Sequence, residues 1–296
     1  MADLLRKQFD ILVEAAKGKL PTQRTLAARL SCSVGKINKT VSELTEAGYI
    51  KDGAITEQGL DALEPYRARR AVFLAAGFGS RLVPITLNTP KPLIRVNGKR
   101  IIDGLIDACI GAGIEEIYIV RGYLADQFDQ LLYKYPMIKF IENPAYNESS
   151  NISSAMCARY LLQNAYVFEA DLLIYDPSLI TKYQYTTNIL GFFTKRSDDW
   201  CFTVKDGVIA EQKIGGVDCY QMVGIWYVNR EDGKKLSGHI KEAYEMPGGR
   251  ERFWDRVVFE FFKNEYRIEV RKCAEGAVVE IDTFNELKAI DKTYDV

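Results

Sequence analysis

The chain has a single histidine, His239, among 296 residues, and no two of its six cysteines stand in a Cys-x-x-Cys pair. That spacing argues against a zinc site, and no second histidine or cysteine lies near His239 to complete one. Cys32, Cys109, Cys157, Cys201, Cys219 and Cys273 read as buried thiols rather than as a disulfide framework. An excess of one charge is also missing. The formal net charge of -1 gives no global attraction to nucleic acid or to an anionic membrane. No uncharged run reaches membrane-spanning length, and the N-terminal MADLLRKQFD carries charges where a secretory leader needs an apolar centre. A cytoplasmic protein without a membrane partner is expected. No serine-nucleophile motif, internal repeat or low-complexity tract stands out.

Apolar material is plentiful at 47%, and the length suggests two domains. The most informative stretch is AVFLAAGFGSRLVPITLNTPKPLIRV, residues 71–96. An apolar strand passes through Ala75 and Ala76 into a loop containing Gly77 and Gly79, followed by Arg81 and Lys91. Without a Cβ, the glycines let backbone N–H groups approach phosphate oxygens, and the two cations supply charge against a polyphosphate. Two commoner phosphate loops do not fit. A Walker loop needs four residues between its glycines, and the dinucleotide fingerprint needs a third glycine where Leu82 stands. Pro84 and Pro90 oppose a long helix after the loop, so it must wrap around its ligand.

Gly77, Gly79, Arg81, Pro84, Thr86, Pro90, Lys91 and Leu93 fall in register with Gly-x-Gly-x-Arg-x-x-Pro-x-Thr followed by Pro-Lys-x-Leu. The segment resembles the signature of the nucleotidyltransferases that activate sugar phosphates and phosphocholine. The resemblance implies Arg81, Lys91 and Asp171 as catalytic residues and Mg2+ as cofactor. Asp171, after the strand AYVFEAD, and Asp282, in VVEID, would hold the metal. Glu169 and Glu280 point to the opposite faces of their strands from Phe168 and Ile281 and stand outside this pair. The turn Arg121-Gly122-Tyr123 and the run from Glu142 and Asn143 to Asn151 and Ser153 occupy positions where related enzymes hold the base. Asn151 and Ser153 serve equally well as helix caps. An acceptor that is already a phosphate anion needs no general base, so alignment and charge would do the catalysis.

Residues 1–70 read as a separate unit. Apolar spacing predicts helices over 4–16, 22–30 and 33–48, then a small β-wing around Lys51-Asp52-Gly53. The order resembles a winged helix-turn-helix, with 33–47 as the recognition helix and Lys36, Asn38 and Lys39 facing a major groove. Twelve Lys and Arg against nine Asp and Glu leave this unit at +3, a weak footprint for DNA. DNA binding and a docking or homodimer role both stay open, and Arg67, Arg69 and Arg70 read as a solvated linker. From residue 71 onward strands over 71–75, 116–120, 139–142 and 165–170 alternate with helices over 101–112, 124–133 and 153–162. That rhythm predicts a doubly wound, mainly parallel α/β sheet with its ligand at the carboxyl ends of the strands. Segments 189–194, 201–205 and 208–214 read as strands covering an acceptor pocket, joined by turns such as Asp206-Gly207.

Ser197-Asp198-Asp199-Trp200 and Arg252-Phe253-Trp254-Asp255 resemble the bacterial phosphocholine cytidylyltransferases more than the sugar-phosphate enzymes. Aromatic faces with a nearby carboxylate suit a quaternary ammonium. Trp200, Trp254 and Asp255 are the expected cage, with Tyr227 and Asp199 behind them. The resemblance thus implies CTP and phosphocholine giving CDP-choline and pyrophosphate. Another aminoalkyl phosphate or phosphonate, a sugar 1-phosphate, or a transcription regulator with a nucleotide-sensing domain are the alternatives.

Overall fold

A computed structural model describes residues 3–295 and divides them into two compact units. The first comprises the chain up to Arg67 together with Tyr183–Tyr185. Its order is α1 (Arg6–Ala16), α2 (Gln23–Arg29), α3 (Val34–Glu46), the hairpin β1 (Ile50–Lys51) and β2 (Ala54–Ile55), and α4 (Glu57–Leu63). Thr22, Ser33 and Thr56 cap α2, α3 and α4 through their hydroxyls, which fixes where each helix starts. Asp52 and Gly53 both adopt positive φ, as a two-residue hairpin turn requires. Phe9, Ile11, Leu12, Ile37, Leu44 and Leu63 form the core of this unit, with Tyr66 and Tyr185 stacked at 5.5 Å. The domain break falls at Arg67 instead of residue 70, and the tripeptide 183–185 joins this unit from far along the chain.

The second unit is built on a seven-stranded sheet. Its elements are β3 (Arg70–Leu74), β4 (Arg95–Val96), β5 (Lys99–Arg100), α5 (Ile101–Gly111), β6 (Glu116–Arg121), β7 (Ile138–Glu142) and α6 (Ile152–Ala158). There follow β8 (Ala165–Glu169), β9 (Leu172–Ile174), β10 (Asn188–Lys205), β11 (Val208–Val228), α7 (Arg230–Glu245), β12 (Glu269–Lys272), β13 (Val278–Glu280) and α8 (Phe284–Ile290). The sheet order is β10-β12-β11-β8-β3-β6-β7. The pairs β3–β6, β3–β8 and β6–β7 are parallel, while β11 runs antiparallel to β8. Ala71 and Phe73 pack into the core that contains Ile102, Leu105 and Ile106 of α5, and Val72 packs on the other face with Ile152, Ala155 and Leu236. Alternation along one strand thus buries both faces, the signature of a doubly wound sheet.

Three expectations change. Residues 125–133 form a 3₁₀ segment rather than an α-helix, entered through Leu124 in the left-handed region. The segments expected as separate strands beyond residue 188 are two long bent strands, β10 and β11, joined at Asp206-Gly207. Cys201 pairs with both Lys213 and Gln221, so the hairpin folds back on itself after a bulge at 197–200. Cys109, Cys201 and Cys219 are buried, but Cys32, Cys157 and Cys273 are only half-buried. Among the described residues no helix is long and apolar enough to cross a membrane.

Candidate active site

Parallel strands end on one side of the sheet, and β3 delivers the glycine loop there. Gly79 sits at φ 64°, and a Cβ there would press on Lys91 Cβ and Thr86 Cγ2 at 3.1 Å, so glycine is required. Thr86 Oγ1 donates to the Gly79 carbonyl at 2.9 Å and holds the loop closed. Tyr123 donates from its hydroxyl to the Thr86 and Leu87 carbonyls, and Gln127 Nε2 donates to that of Asn88 at 2.7 Å. The phosphate-loop candidate is therefore stapled from the outside by the turn after β6.

Beside the loop lies a cleft of about 560 Å³, continuous in lining with a smaller recess of about 260 Å³ at Gly79, Ser80, Lys91 and Pro92. Its charged floor comes from four segments. The β9–β13 pairing sets Glu280 opposite Leu172, and Ile281 N donates to the Asp171 carbonyl, so the ends of the two chain segments meet. Lys91 Nζ then lies 2.7 Å from Asp171 Oδ2 and 3.0 Å from Asp282 Oδ1, and Arg81 reaches the same Asp282 oxygen at 2.6 Å. Burial opposes the charge on Lys91, but Asp171 and then Asp282 outweigh it and hold the ammonium above its ordinary pKa. For Asp282 burial likewise acts against ionisation, and Lys91 and Arg81 prevail, leaving its pKa lowered.

Glu169, Asp171 and Glu280 bring one ligand oxygen each within 4.8 Å of one another. Loss of water within the cluster, then the neighbouring acids, pushes half-buried Glu169 and the outer Glu280 above the carboxylate range. Asp171 Oδ1 is buried and has no hydrogen-bond partner among the described residues. Three crowded hard oxygens with an orphaned buried acceptor fit a divalent cation. Lys91 bridges Asp171 and Asp282, the two carboxylates expected at a metal, and the cluster of close carboxylate oxygens joins Asp171 to Glu169 and Glu280. A sequence signal existed in the matching spacing of Glu169 with Asp171 and of Glu280 with Asp282, each pair being the last residue of a strand and a carboxylate two residues beyond it.

The other expected residues divide. Ala76, Gly77, Asn143, Asn151 and Ser153 line the cleft, and Ala75 with Gly79 lines the recess. Asn143 Nδ2 donates to Ser153 Oγ and Ser154 Oγ, while Asn151 Oδ1 accepts from Trp254 N instead of capping its helix. Arg121, Gly122 and Tyr123 do not line it. Arg121 is clamped by Glu142 and Asp129, and Gly122 leaves room for Tyr146, which does face the cleft.

The aromatic cage is not formed. Tyr227 is 0% exposed with its hydroxyl on Asn164, and Trp254 is 1% exposed against Trp226. Both were drawn into the core because they lie on the inward faces of their segments. Trp200 reaches the cleft, but the Arg256 guanidinium stacks 4.2 Å from its ring centroid. Asp199, Phe253 and Asp255 line the same end. Asp255 Oδ2 accepts from Gln212 Nε2 at 2.6 Å, and Asp255 Oδ1 is buried without a partner among the described residues.

Residues 70–208 match the family model described as nucleotidyl transferase. A 2-aminoethylphosphonate cytidylyltransferase of Lancefieldella rimae is 37% identical over 76% of this chain and 92% of its own length. A choline-phosphate cytidylyltransferase of Streptococcus pneumoniae is 28% identical over 75% of this chain and 97% of its own. The solved CTP:phosphocholine cytidylyltransferase from Streptococcus pneumoniae superposes with a TM-score of 0.71 at 25% identity, over 77% of this chain and 99% of that one. Relatives matched almost whole thus leave about a quarter of this chain without a counterpart. With the glycine loop, the paired cations and the carboxylates gathered in one cleft, the chain belongs to the nucleotidyl transferase family and is an enzyme of that type.

Proposed function

We propose that this enzyme is a cytidylyltransferase that joins CTP to a small aminoalkyl phosphonate or phosphate, with 2-aminoethylphosphonate as the first acceptor to test. An anionic oxygen of the acceptor attacks the α-phosphorus of CTP, the bond from that phosphorus to the bridging oxygen breaks, and pyrophosphate leaves. The acceptor oxygen is already charged, so no proton need be removed. Arg81 and Lys91 offset charge that builds on the α-phosphate and the departing pyrophosphate, from positions fixed by Asp282 and Asp171. Mg2+ is the proposed cofactor, held by Asp171, Glu169 and Glu280. When bound it would neutralise triphosphate charge.

One observation supports the acceptor assignment: Asp255, which lines this end of the cleft, keeps a buried Oδ1 without a partner among the described residues, and Trp254 and Tyr227 are turned into the core. A primary ammonium fills such an oxygen, and a quaternary ammonium brings no N–H to do so. The 37% relative supports the same ranking over phosphocholine. Mixing the protein with CTP, Mg2+ and a panel of acceptors tests it by pyrophosphate release. Fastest release with 2-aminoethylphosphonate or phosphoethanolamine is expected; fastest release with phosphocholine or a sugar 1-phosphate overturns the assignment.

For the N-terminal unit we propose duplex DNA as partner. The first nine residues of α3 expose Val34, Gly35, Lys36, Asn38, Lys39 and Ser42, with no acidic residue before Glu43. Binding should weaken with salt, and Lys36→Ala with Lys39→Ala should flatten the salt slope by about two. Salt-independent binding, or none to any duplex in a random-sequence selection, removes this role.

A further inference from the structure

Gln212 was not singled out by sequence and does not itself line the cleft. It lies on the outer arm of the bent hairpin, paired with Phe202. Its side chain reaches back to the cleft wall, where Nε2 contacts two groups, Asp255 Oδ2 at 2.6 Å and Met222 Sδ at 3.4 Å. An amide facing a carboxylate must present its NH2 group, which settles its orientation. Gln212 Oε1 is then left buried without a partner among the described residues, as is Asp255 Oδ1.

The consequence falls on Asp255, which is only 7% exposed. A buried carboxylate keeps its charge when hydrogen bonds replace the water it has lost. Burial holds Asp255 above its ordinary pKa, and the Gln212 hydrogen bond is the first interaction that opposes the rise, ahead of Arg256 and nearby backbone N–H groups. The same bond ties down Oδ2, while Oδ1 of this cleft-lining residue stays buried and without a partner among the described residues. A freely rotating carboxylate would offer either oxygen at an entropic cost; this one is already oriented.

We infer that Gln212 is a positioning residue for the acceptor: by holding Asp255 Oδ2 it presents Oδ1 to a primary ammonium, and so selects primary over quaternary amines. The inference rests on the aminoalkyl reading of the acceptor. It adds that selectivity originates in the hairpin, outside the cleft lining. A trimethylammonium group at this position leaves Oδ1 desolvated and unpaired, which disfavours it by about tenfold or more.

The test uses the full-length protein with Mg2+, CTP and two acceptors, 2-aminoethylphosphonate and its N,N,N-trimethyl counterpart. Gln212→Met preserves bulk and removes both donors. It should raise KM for 2-aminoethylphosphonate by about tenfold, change kcat and the KM for CTP less than twofold, and shrink the primary-to-trimethyl preference by about the same tenfold. Gln212→Glu, which turns a second acceptor toward Asp255, should do the same and serves if the first variant does not fold. Equal loss on both acceptors, a fall confined to kcat, or an unchanged preference overturns the role of Gln212 alone. A wild-type enzyme that prefers the trimethyl compound overturns both this role and the acceptor assignment.

Discussion

Gly224 lies against the side chain of Glu169, its neighbour across the antiparallel β8–β11 pairing, and a Cβ at 224 would overlap Glu169 Oε2 and approach Cβ at 2.9 Å. Because the clash reaches the base of the side chain, Glu169 cannot escape by turning its carboxylate alone. Gly224→Ala should therefore raise the Mg2+ concentration needed for half-maximal turnover by about tenfold, the scale seen when support of a metal ligand is lost. Metal titration of pyrophosphate release measures this. An unchanged requirement would separate Glu169 from the metal.

Lys91→Met leaves Asp171 and Asp282 facing each other without their shared cation. Turnover should fall about 10²–10³-fold, as for other donors aimed at transition-state charge. The protein should also melt lower. Since the Asp282 pKa is lowered in the fold, its stabilisation is present above the ordinary carboxylate value of 3.8 and fades as the pH falls below it. The Tm gap between wild type and variant should accordingly narrow in acid; a constant gap would assign the loss to packing.

Glu169→Gln has the opposite sign in the absence of metal. The folded pKa of Glu169 is raised from 4.5 to about 8, so folded Glu169 binds a proton that the unfolded chain has released over that interval. Its burial therefore destabilises the protein increasingly from about pH 4.5 to 8. In EDTA the variant should melt above wild type near pH 7.5 and equal it below pH 4. Saturating Mg2+ should reverse the order, because the amide gives the cation no charge.

Tyr123→Phe removes the donor that staples the Thr86 and Leu87 carbonyls. One net hydrogen bond contributes roughly 0.5–1.5 kcal/mol, so kcat/KM for CTP should fall about two- to tenfold with little change in acceptor KM. A change confined to the acceptor would move Tyr123 to the other half of the site.

The glycine loop and the α/β rhythm were legible in the chain because each depends on local spacing: close approach needs glycine, and buried strands need apolar runs. The Asp-Gly turns were legible for the same reason, as positive φ is a property of a dipeptide. Asp171 and Asp282 were singled out only through the family resemblance, and the fold sets both against Lys91. Only the tertiary structure grouped the acids in space. Glu169 and Glu280 come together because β9 pairs with β13 across more than a hundred residues of chain, which no local pattern records. The aromatic residues show the same division. Their composition suggested a cage, but whether a tryptophan meets ligand or core depends on which face its segment buries; packing put Trp254 against Trp226 and left Asp255, held by Gln212, facing the cleft.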